Sequence, residues 1–325
     1  MEGATGIDVS MLKGKKLLNM DSEEEGVMLA SCAGGCRADV KLPVERETVS
    51  GTKLTVSLSG LTGGHSGSEI DKGRGNANAL MSRLLRDASA PVAIASIDGG
   101  RKDNAIPREC TAQIIVAPDE TAAVKASIEQ AAAEIAEEFK ASDPDLKLTV
   151  SEETDCSESA ISAKDSARVI ALIEALPNGI IRMSREIDKL VETSLNLGVL
   201  KSDDAAVTLR YAVRSSVGVA KKSLKNQLVC IAGAFAAEVT FEGDYPAWEY
   251  KQDSLLRPQV AKVYEKLYGK EPVFETIHAG LECGLLSEKI KDLDCVSFGP
   301  DNFDIHTPKE RLSISSTGRV WDFIV

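Results

Sequence analysis

A chain of 325 residues suggests two domains or one large domain with an insertion, and at 43% hydrophobic and 27% charged it can bury a core. Its formal charge of −12, with acids spread along the chain and no Lys/Arg-rich block, argues against nucleic-acid binding, which needs a basic surface to neutralise phosphates. Seven cysteines without the spacing of a small disulfide framework suggest a reducing compartment, and no segment approaches the ~20 apolar residues of a membrane span or a signal peptide, so the expectation is a soluble, cytoplasmic α/β protein.

In chain order, KKLLNM (15–20) reads as a short buried strand running into Asp21, and VMLASC (27–32) as the next strand. The glycine-rich AGG (33–35) reads as a turn and possible hinge. KLPVERETV leads to the alternating strand KLTVSLSG (53–60). NANALMSRLLRDA (76–88) has helical apolar spacing. VAIASIDGG and CTAQIIVAP are strands, 119–141 is an amphipathic helix, and KLTVSE (147–152) is a strand.

The second half repeats this grammar. SARVIALIEAL is a helix, VETSLNLGVL and AAVTLRYAVRSS form a hairpin across KSDD, SLKNQLVCIAGAFA is a helix, and AEVTFEG is a closing strand. Strand-pair, helix, strand thus occurs twice between about 37 and 247, as two similar α/β units. DYPAWEYKQDS (244–254) reads as a linker. Beyond it come the helix LLRPQVAKVYEKLYG, the strand PVFETIHAG entering a glycine-bearing loop, the buried strand DCVSFGP, and a last helix within 311–324. Residues 1–36 and 248–325 therefore have the character of one α/β domain interrupted by an insertion at 37–247.

Three histidines carry most of the possible chemistry: His65, His278 and His306. His306, in DNFDIHTPKE, is open to reading as a metal ligand, a catalytic base or a surface residue; the Thr-Pro that follows would fix its loop. Asp21 at a strand end is either a turn or N-cap aspartate or a carboxylate metal donor. Glu23, Glu24 and Glu25 read as solvated charges. His65 in GGHSG is either a histidine of a flexible loop or a donor aimed at developing negative charge, with its glycines allowing close backbone approach. Asn104 in DNAIPRE offers an amide donor for a peptide backbone, while Arg108 is as well explained by pairing with a glutamate. Arg214 in YAVRSS can clamp a carboxylate by two parallel bonds. His278 is either a packed strand residue or a substrate contact. Cys32 and Cys36 do not have CxxC spacing.

LLNMDSEEEG, GLTGGHSGSEIDKGRGNAN, GGRKDNAIPRE, PNGIIRMS, VETSLN, IHAGLECGL and the final GP…HTPKE resemble, in order and over nearly the whole chain, the aminoacyl-histidine (Xaa-His) dipeptidases. These belong to the carnosinase-like co-catalytic zinc peptidases. The resemblance implies a catalytic α/β domain interrupted by an α+β lid, two zinc ions, a dipeptide substrate and a homodimer through the lid. It implies Asp21 and His306 as ligands to different zincs and His65 as the lid histidine facing the substrate carbonyl. It further implies Arg214 as the clamp on the dipeptide carboxylate, with Asn104, Gly280 and Leu281 as further substrate contacts.

The chain also departs from that pattern. No histidine precedes His65, so the family's early HxD pair is not found, nor are its bridging aspartate and its Glu-Glu pair. MEGATG is similar to the residues that follow the Glu-Glu pair. The expectation is that one descended ligand per metal builds no tetrahedral site, leaving the chain inactive alone. The alternative is a non-catalytic dimerisation or peptide-binding protein of the same descent.

Overall fold

The structure, a computed structural model, describes residues 2–185, 187–305 and 307–325. The chain forms two main sheets. The first has four strands in the order Lys16–Asn19, Asp294–Ser297, Val27–Cys32, Val273–Ile277. Both outer pairs are parallel, from Lys16↔Asp294 to Asn19↔Ser297 and from Val273↔Val27 onward. The two inner strands meet antiparallel at Ser297↔Leu29. Met28 to Cys32 are all buried, as expected for an apolar run covered on both faces. The helix Leu256–Tyr268 packs here through Leu256, Val260 and Tyr264, spaced one turn apart, and ends on Gly269 at φ +69°. Phe323 of the last helix, Ile314–Ile324, closes the cluster edge-on to Tyr264 and Phe298.

The second sheet has nine strands. Its main path runs Glu238–Tyr245, Gly34–Pro43, Ala206–Ser215, Val191–Ser202, Ala93–Gly99, Cys110–Val116, Arg46–Ser59, Lys147–Ile161, with Gly179–Met183 added beside Val191–Ser202. Every pairing is antiparallel. The helices Ala77–Arg86, Thr121–Phe139, Ala163–Ala175 and Gly218–Ala234 bury their apolar stripes against one continuous core.

Two βαββαβ units of the ferredoxin-like kind make up this sheet. The first runs through Arg46–Ser59, Ala77–Arg86, Ala93–Gly99, Cys110–Val116, Thr121–Phe139 and Lys147–Ile161. The second begins at Gly34–Pro43 and resumes only with Ala163–Ala175, so the whole first unit is inserted after its opening strand. The units join where Leu200 and Lys201 pair with Gly99 and Asp98.

The expected turn at AGG is not one. Gly34 already belongs to a strand, and a Cβ there would stand 2.4 Å from the Ala247 nitrogen. Glycine is needed because two connections between the sheets cross at that point. The presumed linker is likewise pinned: Trp248 is buried and exchanges backbone bonds with Cys32 at 3.0 and 3.1 Å.

Candidate active site

The loop that carries His65 is braced by its own charges. Gly63 and Gly64 adopt φ of +64° and +141°, which brings the chain against Arg74 and Glu69. Glu69 Oε2 accepts from His65 N at 2.8 Å, and Arg74 donates to Glu69 Oε1 at 2.8 Å and to the Gly63 carbonyl at 2.5 Å. The His65 amide, and then Arg74, hold the Glu69 carboxyl below its usual range. His65 Nδ1 accepts from the backbone N–H of Ser68 at 3.2 Å and of Gly67 at 3.3 Å. In the neutral ring this assigns the proton to Nε2, the nitrogen then able to donate.

His65 pairs with Ala105, and Ser66 N donates to the Asn104 carbonyl at 2.9 Å. His65 and Asn104, distant in sequence, are thus neighbours. Arg108 packs along Gly63, and the ion pair formed by its neighbour Glu109 is with Arg101.

Arg214 lies on the strand Ala206–Ser215 between Ser194 and Gly35. It is 9% exposed, and no carboxylate among the described residues pairs with it. Its Nη1 reaches the Tyr245 hydroxyl at 3.4 Å, and its Nε is buried without a partner. Gly35 permits this: a Cβ there would lie 2.6 Å from the Tyr245 hydroxyl. Beside it, His278 Nε2 stands 2.7 Å from Ser194 Oγ. His278 Nδ1 is buried and makes no hydrogen bond of good geometry to a described group, while the Val191 backbone lies close enough to favour the protonated ring slightly. Burial, then the charges of Arg214 and His65, push the His278 pKa down to about 3, so the ring is neutral at ordinary pH.

Arg214 and Asn104 line one cavity of about 290 Å³ with Tyr245, Asp103 and Cys36. The loop after His278 is fixed by Ala33 N, which donates to the carbonyls of Ile277 and Ala279 at 3.1 Å. Gly280 and Leu281 therefore stand next to the junction, Leu281 at the N-terminus of the helix Glu282–Lys289. A Cβ on Gly67 would lie 2.9 Å from His65 Cε1 and 2.6 Å from the His278 carbonyl, so the His65 loop touches the His278 segment. Five of the expected residues, His65, Asn104, Arg214, Gly280 and Leu281, thus gather around His278 and Ser194.

Asp21 does not join them. It is exposed, two residues beyond the strand Lys16–Asn19. That strand and Val273–Ile277 run in opposite directions, so Asp21 and His278 leave the four-stranded sheet at opposite ends. Asp21 has instead the 297–302 segment beside it: Ser22 Oγ is 2.9 Å from Ser297 Oγ, and Asn302 N donates to the Glu23 carbonyl at 2.9 Å. His306 lies outside the described residues; on either side of it, Asn302–Phe303 pairs with Arg311–Leu312. Among the described residues no three His, Cys, Asp or Glu side chains are placed to hold a metal ion, so a zinc centre does not fit them alone. Glu25, read as solvated, makes a bidentate pair with Arg319 at 2.6 Å and 2.6 Å.

Four asparagines, Asn76, Asn78 and Asn196 buried and Asn178 exposed, were not singled out by sequence. Asn76 caps the helix Ala77–Arg86 by accepting from Asn78 N and Ala79 N, and donates to Asn196 Oδ1 at 3.1 Å. Asn178 Oδ1 accepts from Leu197 N at 2.8 Å, and Asn78 donates to the Gly99 and Leu197 carbonyls at 3.2 Å. Asn76 and Asn78 share the motif GRGNAN, Asn178 lies in PNG and Asn196 in SLN, so recurrence of asparagine across the quoted motifs was the available signal.

A peptidase dimerisation domain matches residues 56–143. The chain is 36% identical over 328 residues to the cytosol non-specific dipeptidase of Escherichia coli (strain K12), covering 100% of itself and 67% of that protein. It superposes on the crystal structure of aminoacylhistidine dipeptidase from Vibrio alginolyticus with a TM-score of 0.91 at 34% identity, again covering 100% of itself and 67% of that chain. The fold is the α/β peptidase fold with its dimerisation lid. The chain belongs to the aminoacyl-histidine dipeptidase family. Among the described residues no helix is long and apolar enough to cross a membrane.

Proposed function

We propose that the chain supplies the peptide-recognising part of a dipeptidase acting on Xaa-His dipeptides. The observation that carries this reading is the pair of buried, unpartnered nitrogens, Arg214 Nε and His278 Nδ1, on either side of Ser194. A buried guanidinium without an anion is costly, and the terminal carboxylate of a dipeptide relieves it. With Ser194 donating to His278 Nε2, the ring offers Nδ1–H to the same carboxylate. Gly280 and Leu281 add backbone donors from the helix N-terminus, where the partial charge is positive. Asn104 holds the peptide backbone, and His65 presents Nε2–H to the carbonyl oxygen where negative charge develops. Residues 37–247, together with 34–36 at the start of the same strand, form the lid through which two copies pair, and the rest of 1–36 with 248–325 forms the catalytic-domain part. The cytosolic name of the Escherichia coli relative and the seven free thiols support a cytoplasmic location.

In this reading Asp21 and His306 are the chain's descended zinc ligands, one to each metal. By itself the chain binds zinc weakly and cleaves dipeptides at background rate. Its other two histidines, His65 and His278, are engaged in the lid loop and the junction, and a hydrolytic zinc needs a formed site. The test is to dialyse the purified chain against micromolar zinc, then measure bound metal and β-alanyl-histidine cleavage. Stoichiometric zinc with turnover abolished by His306→Ala would overturn the inactivity. A chain that forms dimers but neither binds nor cleaves any dipeptide would favour a non-catalytic dimerisation protein.

A further inference from the structure

We infer that Asn196 is the positioning residue that sets His65 and Asn104 for the peptide; this rests on the proposed dipeptide site. Asn196 is 1% exposed and lies on the central strand Val191–Ser202. Its Nδ2 donates to the carbonyls of Asp103 and Ala105, both at 2.9 Å. Those carbonyls flank Asn104 on both sides, so the amide spans the residue it positions. Ala105 pairs with His65, and the Asn104 carbonyl accepts from Ser66 N. One side chain therefore fixes the 103–105 segment, and that segment fixes the His65 loop.

The position of Asn196 is in turn set from behind. Its Oδ1 accepts from Asn76 Nδ2, and Asn76 is tied by its own Oδ1 to the first turn of the helix Ala77–Arg86. The two ends of one amide thus join the helix to the loop: the acceptor faces the helix, the donor faces the loop. Shape agrees with this. Gly198, two residues on, has Asp103 directly above it, and a Cβ there would lie 2.5 Å from both Asp103 Cα and its carbonyl oxygen. Asn196 itself pairs regularly with Ala212, and Gly198 sits at a bulge between Leu197 and Val199, beyond which the pairing resumes. A buried amide with its hydrogen bonds satisfied specifies one geometry, because any other placement strands polar groups out of water.

Two variants separate positioning from mere stability. Asn196→Asp keeps the size and the acceptor for Asn76 but removes both donors to the loop. Gly198→Ala leaves every asparagine intact and pushes the loop from below. The chain has only three histidines, so ¹⁵N-histidine labelling resolves each ring. In the parent, His65 is expected as the Nε2–H tautomer. In either variant, folding as judged by the amide spectrum, His65 should lose that single tautomer while His278 keeps its neutral signature. β-Alanyl-histidine should bind about tenfold more weakly, the loss of roughly one hydrogen bond to the peptide. An unchanged His65 tautomer in a folded variant overturns the inference, whether or not the dipeptide binds. A shifted tautomer with unchanged affinity overturns the link to the peptide. Failure of the parent to bind, with the tautomer shift intact, would overturn the functional reading alone.

Discussion

Ser194 Oγ and His278 Nε2 stand 2.7 Å apart, joining the centre of the nine-stranded sheet to the loop that leaves the four-stranded one. His278 Nδ1 is buried as well, and Arg214 stands close enough for its charge to act on the ring. The ring's pKa, depressed to about 3 against an ordinary 6.5, has a direct consequence for stability. Between those values the unfolded chain binds a proton that the folded chain refuses. Stability is therefore fully present above the unfolded pKa and falls with pH toward the folded one, by up to about 1.4 kcal/mol per pH unit. Melting temperature should drop as pH is lowered from about 7 to about 5. His278→Gln, which keeps an amide for Ser194, should flatten that slope; an equal slope in the variant would assign the effect elsewhere.

Arg214 should reduce the stability of the free chain. Replacing it with Met removes a buried cation that no described carboxylate pairs with, and keeps its volume. Calorimetry should show Arg214→Met melting about 2 °C or more higher than the parent in the absence of peptide. A lower melting temperature would mean that the guanidinium serves structure rather than ligand.

Gly67 is the contact between the His65 loop and the His278 segment. A methyl group there meets the His278 carbonyl at 2.6 Å and the His65 ring at 2.9 Å. Gly67→Ala should separate the two and weaken dipeptide binding about tenfold, with a small change in melting temperature. Unchanged affinity would show that the two segments do not act on one peptide.

All seven cysteines are free thiols, and only Cys230 is exposed. Burial raises the pKa of Cys32, Cys36 and Cys110, which further suppresses their thiolates. Ellman's reagent should modify one thiol quickly in the native chain and seven after denaturation. Rapid loss of several thiols would mean that the packing around Cys32, Cys283 and Cys295 opens in solution.

Much of this architecture was legible in the sequence. Apolar alternation and helical spacing marked most strands and helices, because those patterns follow from which face is buried. The insertion of one unit inside the other was not legible: Gly34–Pro43 pairs with Ala206–Ser215, a partner some 170 residues away, and local pattern carries no record of such pairing. At the site, His65 and Arg214 stood out because of the family resemblance, since glycines around one and alternation around the other left their roles open. Asn196 did not, because a buried asparagine reads as one more polar residue in a strand until its two acceptors are seen. The four-stranded sheet also placed Asp21 away from His278, which strand direction alone decides.

In the proposed site Arg214 and His278 bind the terminal carboxylate of a dipeptide. Isothermal titration of the chain with β-alanyl-histidine and with its C-terminal amide tests it most directly. The acid should bind at one site and the amide about ten- to a hundredfold more weakly, the range of one charged hydrogen-bonded contact, with Arg214→Met binding both equally weakly. Equal affinity of the parent chain for acid and amide would contradict it.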